Sequence, residues 1–233
     1  MLWETKSYRG TMKQTDSGMT SPNSISAPLR RVVISKSALA EAFRALSKDK
    51  ICPDLRCNAF GLGIETVSGI AESAGCRQAR LSDSDVGQAG VDLAPSDTPS
   101  STSWLTNPGV LAFEAEVISV KEVGAGVRVS YGYKYTTRMP TALALVGVGF
   151  ADGVPRSTDA SAKIAIGEEL YQIAGVIAMD QLVVDLGNAD VQIGDIATIW
   201  GSSPSLANWA NWSGRPAEML ISQLNRRVVT VWT

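Results

Sequence analysis

The spacing of apolar positions is helical in the first part of the chain. A short β-branched run at 31–35 is followed by Ser37, a predicted N-cap, and then by apolar residues at intervals of three and four: Leu39, Ala42, Phe43 and Leu46. Similar spacing predicts a second helix over 64–75, and a weaker pattern predicts a third over 83–90. This alternation of strand and helix indicates a small α/β unit over residues 31–95.

Two segments lack such periodicity. Residues 1–30 are rich in Ser, Thr, Lys and Gly, which predicts a disordered N-terminal segment. Residues 96–110 are mostly Ser, Thr, Pro and Asp, with Trp104 and Leu105 as the sizeable apolar exceptions, a composition typical of a linker. The chain therefore divides at this second segment.

Beyond residue 110 the pattern changes to period two. Phe113, Ala115 and Val117 alternate with glutamates, and a turn at 124–126 predicts a hairpin with 127–131. Further strands are predicted at 143–148, 162–166, 170–177, 182–186, 196–200 and 228–232, with short helices at 205–212 and 216–224. Many short strands separated by glycine-containing turns indicate a β-barrel or sandwich domain over residues 111–233.

Composition excludes several classes of protein. The formal net charge is −2, so nothing indicates nucleic acid binding, and the longest apolar runs fall well short of the ~20 residues that span a bilayer. The N-terminus has no continuous apolar segment typical of a secretory signal, so we expect a cytoplasmic protein.

The absence of histidine limits the possible chemistry. With no histidine in the chain, Ser-His and Cys-His nucleophilic sites are excluded, and proton transfer would have to use Tyr, Lys, Asp, Glu or Cys. Cys52, Cys57 and Cys76 form no Cys-x-x-Cys pair, so we expect structural thiols and no metal site.

Three short motifs carry a family resemblance. They are Val-Ser-Tyr-Gly at 129–132, Gly-Phe-Ala-Asp-Gly at 149–153 and Ala-Met-Asp-Gln at 178–181. Their order, with strand-like runs between them, resembles the C-terminal β-domain of alanine racemase, a pyridoxal-phosphate (PLP) enzyme, over about 111–232. The resemblance implies an α+β, mainly β fold: an alanine racemase C-terminal-like β-barrel with a small α/β remnant of a TIM barrel.

The resemblance also implies roles for particular residues. Tyr131 matches the tyrosine that exchanges the substrate α-proton, Met179 and Asp180 match residues that help receive the substrate carboxylate, and Phe150 stands where the family has a tyrosine. In the family these groups reach across a dimer interface into the partner's barrel, so the resemblance implies a homodimer.

A weaker resemblance covers the cofactor side of the family's site. Arg56 to Gly63, Arg-Cys-Asn-Ala-Phe-Gly-Leu-Gly, is similar to the family motif Lys-Ala-Asn/Asp-Ala-Tyr-Gly-His-Gly, in which the lysine forms the Schiff base with PLP. Arg56 replaces that lysine, and a permanently protonated guanidinium cannot form the imine. Near the C-terminus, Ala217 stands where the family has a phosphate-binding tyrosine.

Length gives a further reason to expect a shortened barrel. A closed (β/α)8 barrel takes ~200–250 residues. About 80 residues lie between Arg31 and Pro108, enough for two or three βα units at ~30 residues each.

We therefore expect an alanine racemase-like protein without racemase activity or cofactor, acting as a binding or interaction module. The alternative is an isomerase: a PLP-dependent alanine racemase that converts L-alanine to D-alanine for cell-wall synthesis, with Tyr131 as its base. A third interpretation is a β-domain that completes the site of a separate full-length racemase. A small ligand is a further candidate partner.

Overall fold

The computed structural model describes residues 29–156 and 158–233. The predicted disordered segment, residues 1–30, lies outside the described residues except for its last two positions. In chain order, the elements of the first part are β1 (Arg30–Ile34), α1 (Lys36–Lys48), β2 (Cys52–Pro53), α2 (Arg56–Phe60), α3 (Ile64–Ser73), β3 (Gln78–Ala79), β4 (Asp92–Leu93) and β5 (Ser100–Ser101).

The second part is mainly β. Its elements are β6 (Leu111–Val123), β7 (Arg128–Val129), β8 (Tyr135–Thr136), β9 (Thr141–Val146), β10 (Lys163–Ile166), β11 (Glu169–Ile173), β12 (Leu182–Gly187), β13 (Ile196–Trp200), α4 (Leu206–Ser213), α5 (Ala217–Ser222) and β14 (Val229–Trp232). These bounds follow the predicted strands closely, although β11 ends earlier than the predicted 170–177.

A closed antiparallel barrel is the centre of the fold. The main sheet has eight strands in the order β13-β10-β11-β12-β9-β6-β1-β14, and β13 also pairs with β6. The long strand β6 makes closure possible, because its first half pairs with β1 and β13 while its second half pairs with β9. This confirms the predicted α+β, mainly β fold with a β-barrel domain.

The barrel interior explains the period-two pattern. Alternate residues of β6, from Leu111 to Val117, point inward and are buried. The ring centroid of Phe113 lies 4.8 Å from that of Trp200, which in turn lies 5.9 Å from that of Trp209 on α4. These aromatic contacts attach the C-terminal helices to the barrel.

The α/β unit is small and has parallel strands. β2 pairs with β5 and β3 pairs with β4, and a bridge between Asp54 and Arg80 links the two pairs in the order β5-β2-β3-β4. Helices α1 and α3 pack against each other. The predicted apolar face of α1, which includes Phe43, is buried in the main core.

Several local predictions are wrong. β1, predicted within the α/β unit, pairs with β6 and β14 and so belongs to the barrel sheet. The N-cap of α1 is Ser35 rather than Ser37, and residues 83–88 form turns rather than a helix. β7 pairs with β8 rather than with β6, so the predicted hairpin about 124–126 does not form.

The segment at 96–110 is structured, in contrast to the predicted linker. It contains β5, and Trp104 and Leu105 are both buried. The Trp104 ring packs 5.5 Å from that of Phe43, and its indole Nε1 donates to the backbone oxygen of Asp54 at 3.1 Å. The segment therefore packs against the α/β unit through its two large apolar residues.

Candidate functional site

Backbone hydrogen bonds bring the motif at 149–153 against the motif at 178–181. The amides of Phe150 and Ala151 donate to the carbonyl oxygens of Ala178 and Met179, at 3.0 and 2.8 Å. A Cβ at Gly149 would lie 2.6 Å from the backbone nitrogen of Asp180, so this close approach requires glycine. β9 precedes the first of these motifs and β12 follows the second. The two strands pair in the barrel, with Val146 at the end of β9 opposite Leu182 at the start of β12.

The third motif reaches the same end of the barrel through the β7–β8 hairpin, residues 128–136. The Ser130 hydroxyl donates to the backbone oxygen of Val176 at 2.5 Å, and a Cβ at Gly175 would lie 2.7 Å from the Ser130 Cβ. The hairpin therefore docks on the loop that leads into 178–181. Tyr131 follows directly and is 69% exposed.

We call the exposed surface formed by Tyr131, Phe150, Met179 and Asp180 the β-domain face. Met179 is 61% exposed and Phe150 is 37% exposed. All four residues are on the loops that these contacts hold at one end of the barrel. Large apolar side chains left accessible in this way are typical of interaction or ligand sites.

Two arginines lie over aromatic rings on or next to the β-domain face. The Arg156 guanidinium carbon lies 5.4 Å from the Phe150 ring centroid, and that of Arg128 lies 5.8 Å from the centroid of Tyr133. Cation–π contacts of this kind hold the cations over exposed rings. The sequence patterns did not indicate Arg128, Tyr133 and Arg156, although each lies close in the chain to an aromatic residue of the motifs.

A buried ion-pair cluster centred on Asp152 stabilises the 149–153 turn. Asp152 is fully buried, and its Oδ1 accepts from Nε and Nη2 of Arg227 at 3.0 and 2.7 Å. Its Oδ2 accepts from the Gly149 amide at 2.9 Å and lies 3.3 Å from Nε of Arg30. The cluster positions the backbone of the turn, because a buried carboxylate is stable only when its oxygens are satisfied.

Arg56 lies apart from this surface, at the carboxyl end of β2. Its Nε lies 3.0 and 3.1 Å from Oδ1 and Oδ2 of Asp54, and its Nη2 lies 2.6 Å from Oδ2. The hydrogen bond and the negative charge of Asp54 raise the pKa of Arg56 above its ordinary value. The guanidinium is thus permanently charged and is hydrogen-bonded to the Asp54 carboxylate.

The turn after Arg56 has an uncommon backbone. Cys57, Asn58, Ala59 and Phe60 all have φ between 51° and 58°, so α2 includes one left-handed turn. Such a turn costs about 1–2 kcal/mol per residue. Contacts with the following strand region stabilise it: the Cys57 amide donates to Ser82 Oγ at 2.8 Å, and the Asn58 amide donates to Asp85 Oδ1 at 3.1 Å.

The residues near Arg56 do not fit PLP. α5, which begins at Ala217, packs against α2, which begins at Arg56. Ala217 has no hydroxyl for the phosphate, and Arg56 has no amine for an imine. The Asp54 carboxylate is paired with the Arg56 guanidinium, so this cation is already engaged by an anion of the chain itself.

The cysteines differ in their surroundings. Burial raises the pKa of both Cys52 and Cys76, whereas Cys57 is exposed. Within residues 29–156 and 158–233, no group of three His, Cys, Asp or Glu side chains could hold a metal ion. The same ranges contain no helix that is long and apolar enough to cross a membrane.

The closed barrel and its motif loops match a known domain. Residues 110–232, more than half of the chain, match the family model "Alanine racemase, C-terminal domain". The chain therefore belongs to the alanine racemase family.

Curated relatives match the same part of the chain. An alanine racemase from Beutenbergia cavernae is 39% identical over 126 residues, which is 52% of this chain and 33% of the relative. One from Thermobifida fusca is 36% identical over 127 residues, 53% of this chain and 34% of the relative. The chain thus matches about a third of the length of these relatives.

Solved structures share the fold. Alanine racemase from Streptomyces lavendulae superposes with a TM-score of 0.74 at 18% identity, covering 88% of this chain and 97% of that chain. The enzyme from Bartonella henselae, a structure with covalently bound pyridoxal phosphate, gives a TM-score of 0.73 at 14% identity and covers 88% and 99%. Since the C-terminal domain alone is little more than half of this chain, these superpositions include its α/β unit.

Proposed function

We propose that this chain is a non-catalytic member of the alanine racemase family that acts as a binding or interaction module. The observation that carries the proposal is the state of Arg56. It occupies the position of the Schiff-base lysine, and Asp54 holds its guanidinium through two nitrogens. A group that cannot lose its proton cannot form the imine or serve as a base.

The small α/β unit supports the same proposal. We infer that residues 31–95 correspond to a shortened form of the family's barrel and residues 111–233 to its β-domain. The described part of the α/β unit contains four short parallel strands, β5, β2, β3 and β4, where a closed (β/α)8 barrel has a full ring. Together with Ala217, this leaves the phosphate of PLP without a binding site of the family's type.

We infer that the β-domain face is the binding surface and that it mediates homodimer formation. Its aromatic and methionine side chains are exposed, and the Arg156 guanidinium lies over its Phe150 ring. A twofold contact would bury the same patch on both copies and remove this apolar area from water. A full-length racemase or a small ligand would be recognised through the same side chains.

Catalysis is tested with the purified protein and PLP. We expect no aldimine absorbance to remain after dialysis, no covalent adduct after borohydride reduction, and no D-alanine from L-alanine. A full-length alanine racemase treated in parallel supplies the positive control. Stoichiometric cofactor that survives dialysis, or D-alanine formation that Tyr131→Phe abolishes, would overturn the non-catalytic proposal and favour the racemase.

Self-association is tested separately by light scattering over a dilution series. We expect a dimer mass at micromolar concentration and a shift towards monomer in Met179→Glu, because a charge at the centre of an apolar contact would be buried without a partner. Ile193→Glu makes the same kind of change at another exposed apolar residue outside the face and should leave the dimer intact. A monomer mass at every concentration would reject the homodimer.

A further inference from the structure

We propose that the hydrogen bond between Tyr135 and Asp185 is a latch that holds the β7–β8 hairpin, and with it Tyr131, against the outside of the barrel. Opening of this latch would release the hairpin while the barrel stays folded. The inference concerns a local conformational device and requires neither cofactor nor racemase activity.

The hairpin depends on contacts outside itself. Each of its strands, Arg128–Val129 and Tyr135–Thr136, has two residues, and isolated two-stranded hairpins are marginal in water. Its apolar contacts form a small cluster, separate from the main core, in which Val129 is buried with Leu143, Leu145, Ala174 and Val183. A short hairpin over a small cluster is the kind of element that opens before the rest of a protein.

The base of the hairpin is fixed by Thr137, which is buried. Its carbonyl oxygen accepts from the Gly126 amide at 2.7 Å and its amide donates to the Val127 oxygen at 3.0 Å. Its hydroxyl accepts from the Val127 amide at 2.9 Å and donates to the Gly124 oxygen at 2.7 Å. These bonds remain within the hairpin and its base. They fix where the hairpin leaves the barrel without fixing where its tip rests.

Tyr135 provides a side-chain hydrogen bond from the hairpin to a barrel strand, in addition to the Ser130 contact with Val176. Its hydroxyl donates to Asp185 Oδ2 at 2.5 Å, and Asp185 is on the barrel strand β12. The other carboxylate oxygen accepts from the Thr141 hydroxyl of β9 and from the Gly187 amide at 3.0 Å. The barrel thus fixes the carboxylate, and the hairpin contributes one donor to a charge-assisted hydrogen bond, which is among the stronger kinds.

Backbone strain at the tip favours opening once the latch is lost. Ser130 has φ 62° and ψ −177°, a region that is essentially restricted to glycine. The docked hairpin keeps Ser130 in this conformation through its hydroxyl bond to Val176. When Tyr135 no longer holds the hairpin, this residue can return to an ordinary conformation, so the tip carrying Tyr131 is released.

Hydrogen–deuterium exchange of the full chain tests the latch. In Tyr135→Phe we expect the protected amides of 128–136 to exchange about tenfold faster or more, since a hydrogen bond to a charged group is lost. Amides of β6, β9 and β12 should exchange as in the wild type. Tyr133→Phe is the matched control, because it removes the same hydroxyl from an exposed ring in the same hairpin.

Two results would overturn the latch. One is unchanged exchange of 128–136 in Tyr135→Phe. The other is an equal acceleration throughout the barrel, which would show that Tyr135 stabilises the whole fold rather than the hairpin. Neither result bears on the PLP and D-alanine assays, so failure of the latch and failure of the proposed function can be told apart.

Discussion

The guanidinium of Arg56 and the carboxylate of Asp54, two positions apart in the chain, form a paired contact at the end of β2, with Nη2 2.6 Å from Oδ2. The Asp54 side chain is 6% exposed, whereas that of Arg56 is 55% exposed. The pair therefore neutralises a buried carboxylate with a cation that remains partly in water. The contact gives Arg56 a structural role at the end of β2.

Arg56→Ala should lower the free energy of unfolding by about 1 kcal/mol, because Asp54 loses its cation while water still screens the half-exposed site. Urea denaturation followed by tryptophan fluorescence measures the change. Arg44→Ala removes an exposed arginine from α1 and should have a smaller effect. Equal effects of the two substitutions would contradict a specific role for the Asp54 pair.

Gly149→Ala should destabilise the protein by about 2 kcal/mol or more, because the new methyl group overlaps the backbone of 178–180. The same change at Gly69 is the control: this glycine lies in α3 and has open space around it, so Gly69→Ala should be neutral or stabilising by up to about 1 kcal/mol. Thermal unfolding of both variants distinguishes them. Similar unfolding temperatures would show that the two motif loops can separate at little cost.

Asp152→Ala should cost about 3 kcal/mol, because it leaves the cations of Arg30 and Arg227 without their shared buried carboxylate. Denaturant midpoints compared with those of Asp97→Ala, an exposed position, measure the difference. We also expect Asp152→Ala to accelerate hydrogen exchange in the 149–153 turn. A midpoint within the range of the Asp97 control would show that the cluster contributes little.

The Tyr135–Asp185 contact should depend on pH at the alkaline end. Burial, together with the hydrogen bond to Asp185, raises the pKa of Tyr135 to about 12 from an ordinary value of 10.0. Because the folded state favours the protonated phenol, this stabilisation is fully present below pH 10 and is lost as pH rises towards 12. The tyrosinate absorbance should show a late titration step that is missing in Tyr135→Phe. An unchanged late step in the variant would assign it to another residue.

The contribution of the Asp185 carboxylate to stability should depend on pH at the acid end as well. Burial opposes ionisation of Asp185, but hydrogen bonds from Thr141, Tyr135 and Gly187 outweigh it and leave the pKa lowered. This contribution to stability is present above the ordinary pKa of 3.8 and is lost as pH falls through the lowered value. Asp185→Asn should flatten this part of the stability profile, as measured by urea midpoints in acidic buffers. An unchanged slope would assign the acid sensitivity to other carboxylates.

The sequence by itself determined the features that depend on local patterning. Period-two alternation along β6 identified the barrel residues Phe113, Ala115 and Val117, and helical spacing identified the buried face of α1. The three motifs identified the family, which the domain match confirms. The inability of the Arg56 guanidinium to form an imine likewise follows from the sequence, because it concerns the chemistry of one side chain.

Tertiary structure decided which distant residues meet. The position of β1 beside β6 and the sharing of Asp152 by Arg30 and Arg227 both join segments that are far apart in the chain. The burial of Trp104 within a polar segment is a further example. Local spacing specifies which face of a strand or helix is apolar. Strand partners and buried ion pairs depend instead on how the whole chain encloses its core. These contacts could therefore be seen only in the folded molecule.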